Sequence, residues 1–218
     1  MKDALTYVNR AVRITLFLAA LGLVASCATH QPFVLFDDKT VIKPGSIAVI
    51  TADGSEATMW LAEALTRELR DRSTFKVWSQ AKIGLRIGRY PVTIKQGQPE
   101  TPDKPVWFGK GEKAKVDAMQ SHLKVHYVFV VWAGFSRTGT SGPYDVSMNG
   151  NVVEYPQARV IGYSHLTGSS PSTKGDDVKK MLKDAAAKMA DAFIGAAKAE
   201  KAEKPGKTSP SPVKAETP

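Results

Sequence analysis

Between residues 46 and 197, short apolar runs alternate with stretches in which apolar residues return every three or four positions. These are the periods of buried strands and of helices packed on them. Ile47-Ala48-Val49-Ile50 predicts a buried strand, and Asp53-Gly54-Ser55 breaks it. Ser55 or Asp53 is placed to cap a helix with the stripe Ala57, Leu61, Ala64, Leu65 and Leu69. A strand over Phe75–Ser79 would close a βαβ unit with two parallel strands. A short helix from Ser79-Gln80 toward Tyr90-Pro91 is expected next, with Ile83 and Ile87 one turn apart, and then a helix over Lys113–Leu123 through Val116, Met119 and Leu123. Val125–Ala133 (VHYVFVVWA) is the most hydrophobic strand and is expected at the centre, with Trp132 in the core.

Two extended segments follow, Tyr144–Tyr155 and Arg159–Leu166, with Pro156-Gln157-Ala158 as a hairpin tip and Asn149-Gly150 as a bulge. The competing reading makes Asn149-Gly150 a two-residue turn and adds a strand. Asp176 or Asp177 is expected to cap a last helix to Ala197, with the stripe Val178, Met181, Leu182, Ala185, Met189 and Phe193. The fold class is therefore α/β: a single domain on a mixed sheet of about five strands, in the order β-α-β-(α)-α-β-β-β-α.

Both ends depart from this pattern. Lys2, Arg10 and Arg13 precede the 11-residue apolar run Ile14–Val24, which ends at the small residues Ala25 and Ser26. This is the layout of a secretory signal, and the run is too short for the roughly 20 residues of a membrane-crossing helix. Val24-Ala25-Ser26-Cys27 resembles the lipobox of bacterial lipoproteins. That resemblance implies cleavage before Cys27 and acylation of its thiol and new amine, with diacylglycerol and a fatty acid such as palmitate. Ala28 after the cysteine resembles outer-membrane-directed examples of that class. The expected organisation is a signal peptide (1–26), a lipid-anchored tether (27–45) with an apolar patch at Phe33–Phe36, an α/β periplasmic domain (46–197), and a disordered tail (198–218). The tail is built of Ala, Lys, Glu, Pro and Ser and buries too little to offset its ordering entropy.

Composition sharpens this picture at two points. Cys27 is the only cysteine, so no internal disulfide forms, and lipidation accounts for the single thiol. The chain carries 30 basic and 21 acidic side chains; without residues 1–26 these become 27 and 20, a net charge of +7 rather than +9. The excess is spread out, densest at Lys179-Lys180-Lys183 and in the tail. Nucleic acid is thus not an expected partner; the excess serves either anionic envelope surfaces or simply solubility.

Few residues fall in a pattern that carries chemistry. His122 and His126 stand four apart without the glutamate of a zinc-protease motif, and a helix end is expected between them. Gly134-Phe135-Ser136-Arg137-Thr138 fails a nucleophile elbow at its last position, and Gly206-Lys207-Thr208 lacks the earlier glycine of a phosphate loop. Gly84 and Gly88 have the spacing of a membrane-helix contact, but Arg86 and Arg89 contradict that setting. Asp53-Gly54-Ser55-Glu56 reads as an anion-binding helix start or simply as a turn and cap. Asp117, Asp145 and Glu154 supply acids whose convergence spacing cannot show. No catalytic, cofactor or metal residue is assigned, and the chain is not expected to be an enzyme. The candidate partner contact is Trp107-Phe108, inside residues 91–111, a stretch with four prolines and three glycines; the two aromatics either fold back onto the core or are offered to a partner. Trp60, flanking a helix stripe, is a weaker candidate.

The order of lipobox, IAVI strand, LAEALTRELR helix, FKVW strand, YVFVVW strand, long hairpin and closing helix resembles envelope lipoproteins of the curli-secretion and penicillin-binding-protein-activator type. The resemblance implies a periplasmic α/β domain, lipid-anchored to the outer membrane, that acts by contact with another envelope protein as an assembly or activator factor. No long amphipathic strands suited to a pore are present. The alternatives are a domain that binds or processes a cell-wall component, and self-association through unpaired sheet edges, which leaves the oligomeric state open.

Overall fold

The apolar run after Gly45 forms β2 (Ser46–Thr51), all six residues of which are buried. It lies between two parallel neighbours, β3 (Lys76–Trp78) and β4 (Tyr127–Arg137), and under side chains on both faces. The computed structural model describes residues 31–87, 93, 112–137, 139, 142–155 and 159–202, with backbone alone at 112, 113, 116, 119 and 199–202. The helix α1 (Glu56–Arg72) carries the chain from β2 to β3, so the expected parallel βαβ unit is present. Ser55 caps α1: its hydroxyl accepts the Thr58 N–H at 3.3 Å. Ala57, Leu61, Leu65 and Leu69 are buried, and Thr58, Ala62 and Thr66 join them because α1 is wedged between the sheet and the last helix.

β4, β5 (Tyr144–Glu154) and β6 (Arg159–Ser170) form an antiparallel meander, and the complete sheet order is β1-β6-β5-β4-β2-β3. One face is covered by α1 and α4 (Asp176–Ala202). There Phe33, Phe75, Tyr127 and Phe129 gather around Phe193, with ring centroids 5.4–6.4 Å from it. The other face is covered at the β2 side by α2 (Gln80–Ile87) and α3 (Glu112–Leu123), whose Ile83 and Leu123 pack with Ala48, Ile50, Val128 and Val130.

Six strands replace the expected five because Gln31–Leu35 is not tether but an edge strand, β1, antiparallel to β6. Its short alternation explains the difference: Phe33 and Leu35 face the helix-covered core while Val34 and Phe36 face away, a pattern too brief to stand out in sequence. Gly162 of β6 makes room for it, since a Cβ there would lie 2.6 Å from the Phe33 ring and the Val34 carbonyl.

Asn149-Gly150 is neither bulge nor turn. Both residues pair regularly, with His165 and Ser164, and the register shift falls at Val152/Val153. The glycine is required by packing: a Cβ would sit 2.5 Å from the Phe129 ring. Asp176 and Asp177 lie inside the first turn of α4, where they favour the helix N-terminus as charges rather than as caps. The helix runs past Ala197 to Ala202. Trp132 is half-buried and outside the core, because it projects from β4, opposite Asn149, on the face that α2 and α3 cover only at the β2 side. The hairpin tip 156–158 lies outside the described residues, as do the side chains of Val116 and Met119.

Candidate functional site: a cleft beside Tyr155

At the end of α3 the chain turns sharply into β4. Lys124 closes the helix with its N–H on the Gln120 carbonyl (2.8 Å) and has φ 51°, the only positive φ outside glycine among the described residues. Helices commonly stop in this left-handed conformation, but on glycine or asparagine. Two residues on, His126 is locked against the start of β2. The Ser46 backbone N–H donates to its Nδ1 at 3.1 Å, and the Ser46 hydroxyl, 3.1 Å from the same nitrogen, reaches the Lys124 carbonyl at 2.6 Å. With Nδ1 accepting, the neutral ring carries its proton on Nε2. A Cβ on Gly45 would come within 2.9 Å of this imidazole, so the close approach depends on the glycine.

Lys124, Val125 and His126 form one side of a cleft of about 440 Å³, completed by Asp117, Gln120 and Ser121 of α3 and by Tyr155 just after β5. Tyr155 is 6% exposed, and its hydroxyl is buried with no hydrogen-bond partner among the described residues. Burial, and then the nearby Asp117 carboxylate, raise its pKa well above the ordinary phenol range. It is therefore a neutral donor at every physiological pH. Among the described residues the cleft thus combines Tyr155, an imidazole with a defined tautomer, one lysine and one carboxylate. That set suits recognition of a polar group, and among the described residues it holds no second carboxylate of a glycosidase pair. A smaller cleft, of about 200 Å³, lies by Ile42, Phe75 and Ile194. Its Arg72 is engaged by Glu68 (3.1 Å) and Asp191.

The sequence candidates fare unevenly. Cys27, Trp107 and Phe108 lie outside the described residues, as does most of 91–111. His122 is in α3 and His126 beyond its end, as the spacing predicts, and no grouping of three His, Cys, Asp or Glu fit for a metal occurs among the described residues. His165 is bonded to Asn149 Oδ1 at 2.6 Å. At Asp53–Glu56 the Asp53 carboxylate accepts the Ser55 N–H at 2.8 Å, and Ser55 caps α1, so this junction is a turn and cap. Asp145 and Glu154 stand near opposite ends of β5, and Glu154 is paired with Arg159 at 3.1 Å, so these two acids do not converge. Trp60 is partly buried under Lys179, whose Nζ sits 4.6 Å from the ring centroid. Tyr155 and Lys124 were missed by sequence reasoning. The available signal for Tyr155 was a phenol at an inward position, two residues after Val153.

The chain matches no protein-family model and no curated protein. Among solved structures it is similar to a PelC dodecamer from Paraburkholderia phytofirmans (14% identity over 74% of this chain and 96% of that one, TM-score 0.45). It is also similar to lipoprotein GNA1162 from Neisseria meningitidis (14%, 65% and 93%, TM-score 0.39). A third is described as a lipoprotein of Caulobacter crescentus (12%, 73% and 93%, TM-score 0.33). Bacterial lipoproteins are thus among the structures with a similar arrangement; at these scores nothing about function is carried over.

Proposed function

We propose that this chain is a lipid-anchored cell-envelope protein whose α/β domain acts without catalysis, by binding another envelope protein as an assembly or activator factor. The observation that carries the proposal is Val24-Ala25-Ser26-Cys27 at the end of a basic and then apolar leader. Acyl chains on one residue, at about 0.8 kcal/mol per buried methylene, hold a protein on a bilayer without a spanning segment. No helix among the described residues is long and apolar enough to cross a membrane. Placement at the outer membrane, facing the periplasm, rests on Ala28 and belongs to the same proposal. Protein contact is the mode implied by the resemblance to the curli-secretion and penicillin-binding-protein-activator type, and Trp107-Phe108 is its proposed contact. A photo-crosslinker at position 107 or 108, in cells, is expected to capture one specific envelope protein. Failure to capture any from these and other positions over the domain would refute it.

A second reading, binding of a cell-wall component, is favoured by the cleft with its unpartnered Tyr155 hydroxyl. Saturable binding of soluble cell-wall peptides that weakens in Tyr155→Phe would support it; unaltered calorimetric baselines with both proteins would exclude it.

A further inference from the structure

We infer that the sheet face opposite α1 and α4 lies against the membrane surface, with Val34, Phe36 and Leu85 at headgroup level and Lys82 and Arg86 on lipid phosphates. This rests on the anchoring of Cys27 proposed above. Because Gln31 is already in β1, three residues, 28–30, separate the anchored cysteine from the sheet. Four Cα steps fully extended span about 14 Å. The domain therefore cannot stand off from the bilayer, and β1 is the element held closest to it.

Large apolar side chains are exposed at three places among the described residues: Val34 (37%), Phe36 (57%) and Leu85 (85%). All three are on one side of the sheet. Phe33 and Leu35 pack into the core beneath α1 and α4, so by strand alternation Val34 and Phe36 project to the other side, where Phe36 stacks on Tyr163 with centroids 5.3 Å apart. α2 packs on that same side through Ile83, against Ala48, Ile50, Val128 and Val130, and turns Leu85 outward. Its exposed face also carries Lys82 and Arg86, with no acidic residue in the helix. Apolar and aromatic side chains beside cations are the composition of surfaces that lie in the bilayer interface. The exposed acids Asp37 and Asp38 follow Phe36, so the electrostatic attraction comes from α2 and the apolar contact from both elements.

Lipidation consumes the only thiol, so an introduced cysteine is the one labelling site on the anchored protein. The full chain, purified from membranes as Phe36→Cys, Leu85→Cys or Lys188→Cys and labelled with bimane, is placed in phosphatidylethanolamine–phosphatidylglycerol vesicles bearing nitroxide headgroups. Val34→Cys reads the first position again should Phe36→Cys not fold. Strong quenching at 36 and 85 and none at 188, on the α4 side, is expected. With Cys27 shown by mass to be acylated, quenching at 188, or none at 36 and 85, overturns the proposal alone. An unacylated Cys27 overturns the anchoring reading, and the present proposal with it.

Discussion

Two positions, Gly150 and Tyr155, show how tightly this domain packs. Gly150 lies under the Phe129 ring, where a Cβ would come to 2.5 Å, and both residues are paired within the sheet. Gly150→Ala is expected to destabilise the fold by about 1–3 kcal/mol, the cost of overpacking, read as a fall in the urea midpoint without a change in slope. Tyr155 tests the opposite case. Its buried hydroxyl has no partner among the described residues, so Tyr155→Phe is expected to be neutral or slightly stabilising near pH 7; a loss of about 1 kcal/mol or more would mean that the hydroxyl is bonded in solution. Because the folded-state pKa is raised, the folded protein resists ionisation. The stability contributed is complete below the unfolded phenol value of about 10 and is lost as pH rises above it. Stability above pH 10 should thus fall less steeply in Tyr155→Phe than in the parent, by denaturant titration; equal slopes would contradict the burial argument.

At the scale of elements, two joints hold the layers together. Thr58, near the start of α1, accepts the buried Ala133 N–H of β4 at 3.0 Å through its hydroxyl, which also receives the Ser55 hydroxyl at 2.8 Å. Thr58→Val keeps the shape and orphans that N–H, for an expected loss of about 1–3 kcal/mol in thermal or urea unfolding. The second joint is Phe33, edge-on to Phe193 at 5.4 Å. Phe33→Ala should abolish hydrogen-exchange protection at Phe36, whose N–H is bonded to the Ile161 carbonyl, while leaving β4 amides protected. β1 is also where sequence reasoning fell short. The long periodic segments, from IAVI through the α1 and α4 stripes to YVFVVW, were legible because their apolar positions repeat over several turns or run unbroken. β1 offers two inward residues and a proline, and its partner lies 130 residues away, so only tertiary pairing defines it. The same limit hid the cleft: Asp117, His126 and Tyr155 come from three elements, and only the joining of α3, β4 and the end of β5 brings them together.

For the whole molecule, the lone cysteine and the fold make one argument. If Cys27 is acylated as proposed, a lipobox-like sequence followed within four residues by the first strand would hold the domain directly at a surface rather than on a long arm. In the proposals above the anchor would serve attachment and the apolar and cationic sheet face orientation, and both depend on what happens at Cys27. The most direct test is top-down mass spectrometry of the protein extracted from membranes, beside a Cys27→Ser variant. The account predicts a mature chain that begins at residue 27 with acyl mass on its first residue, and an uncleaved or lipid-free product from the variant. A wild-type chain that carries a free thiol at Cys27 would contradict it.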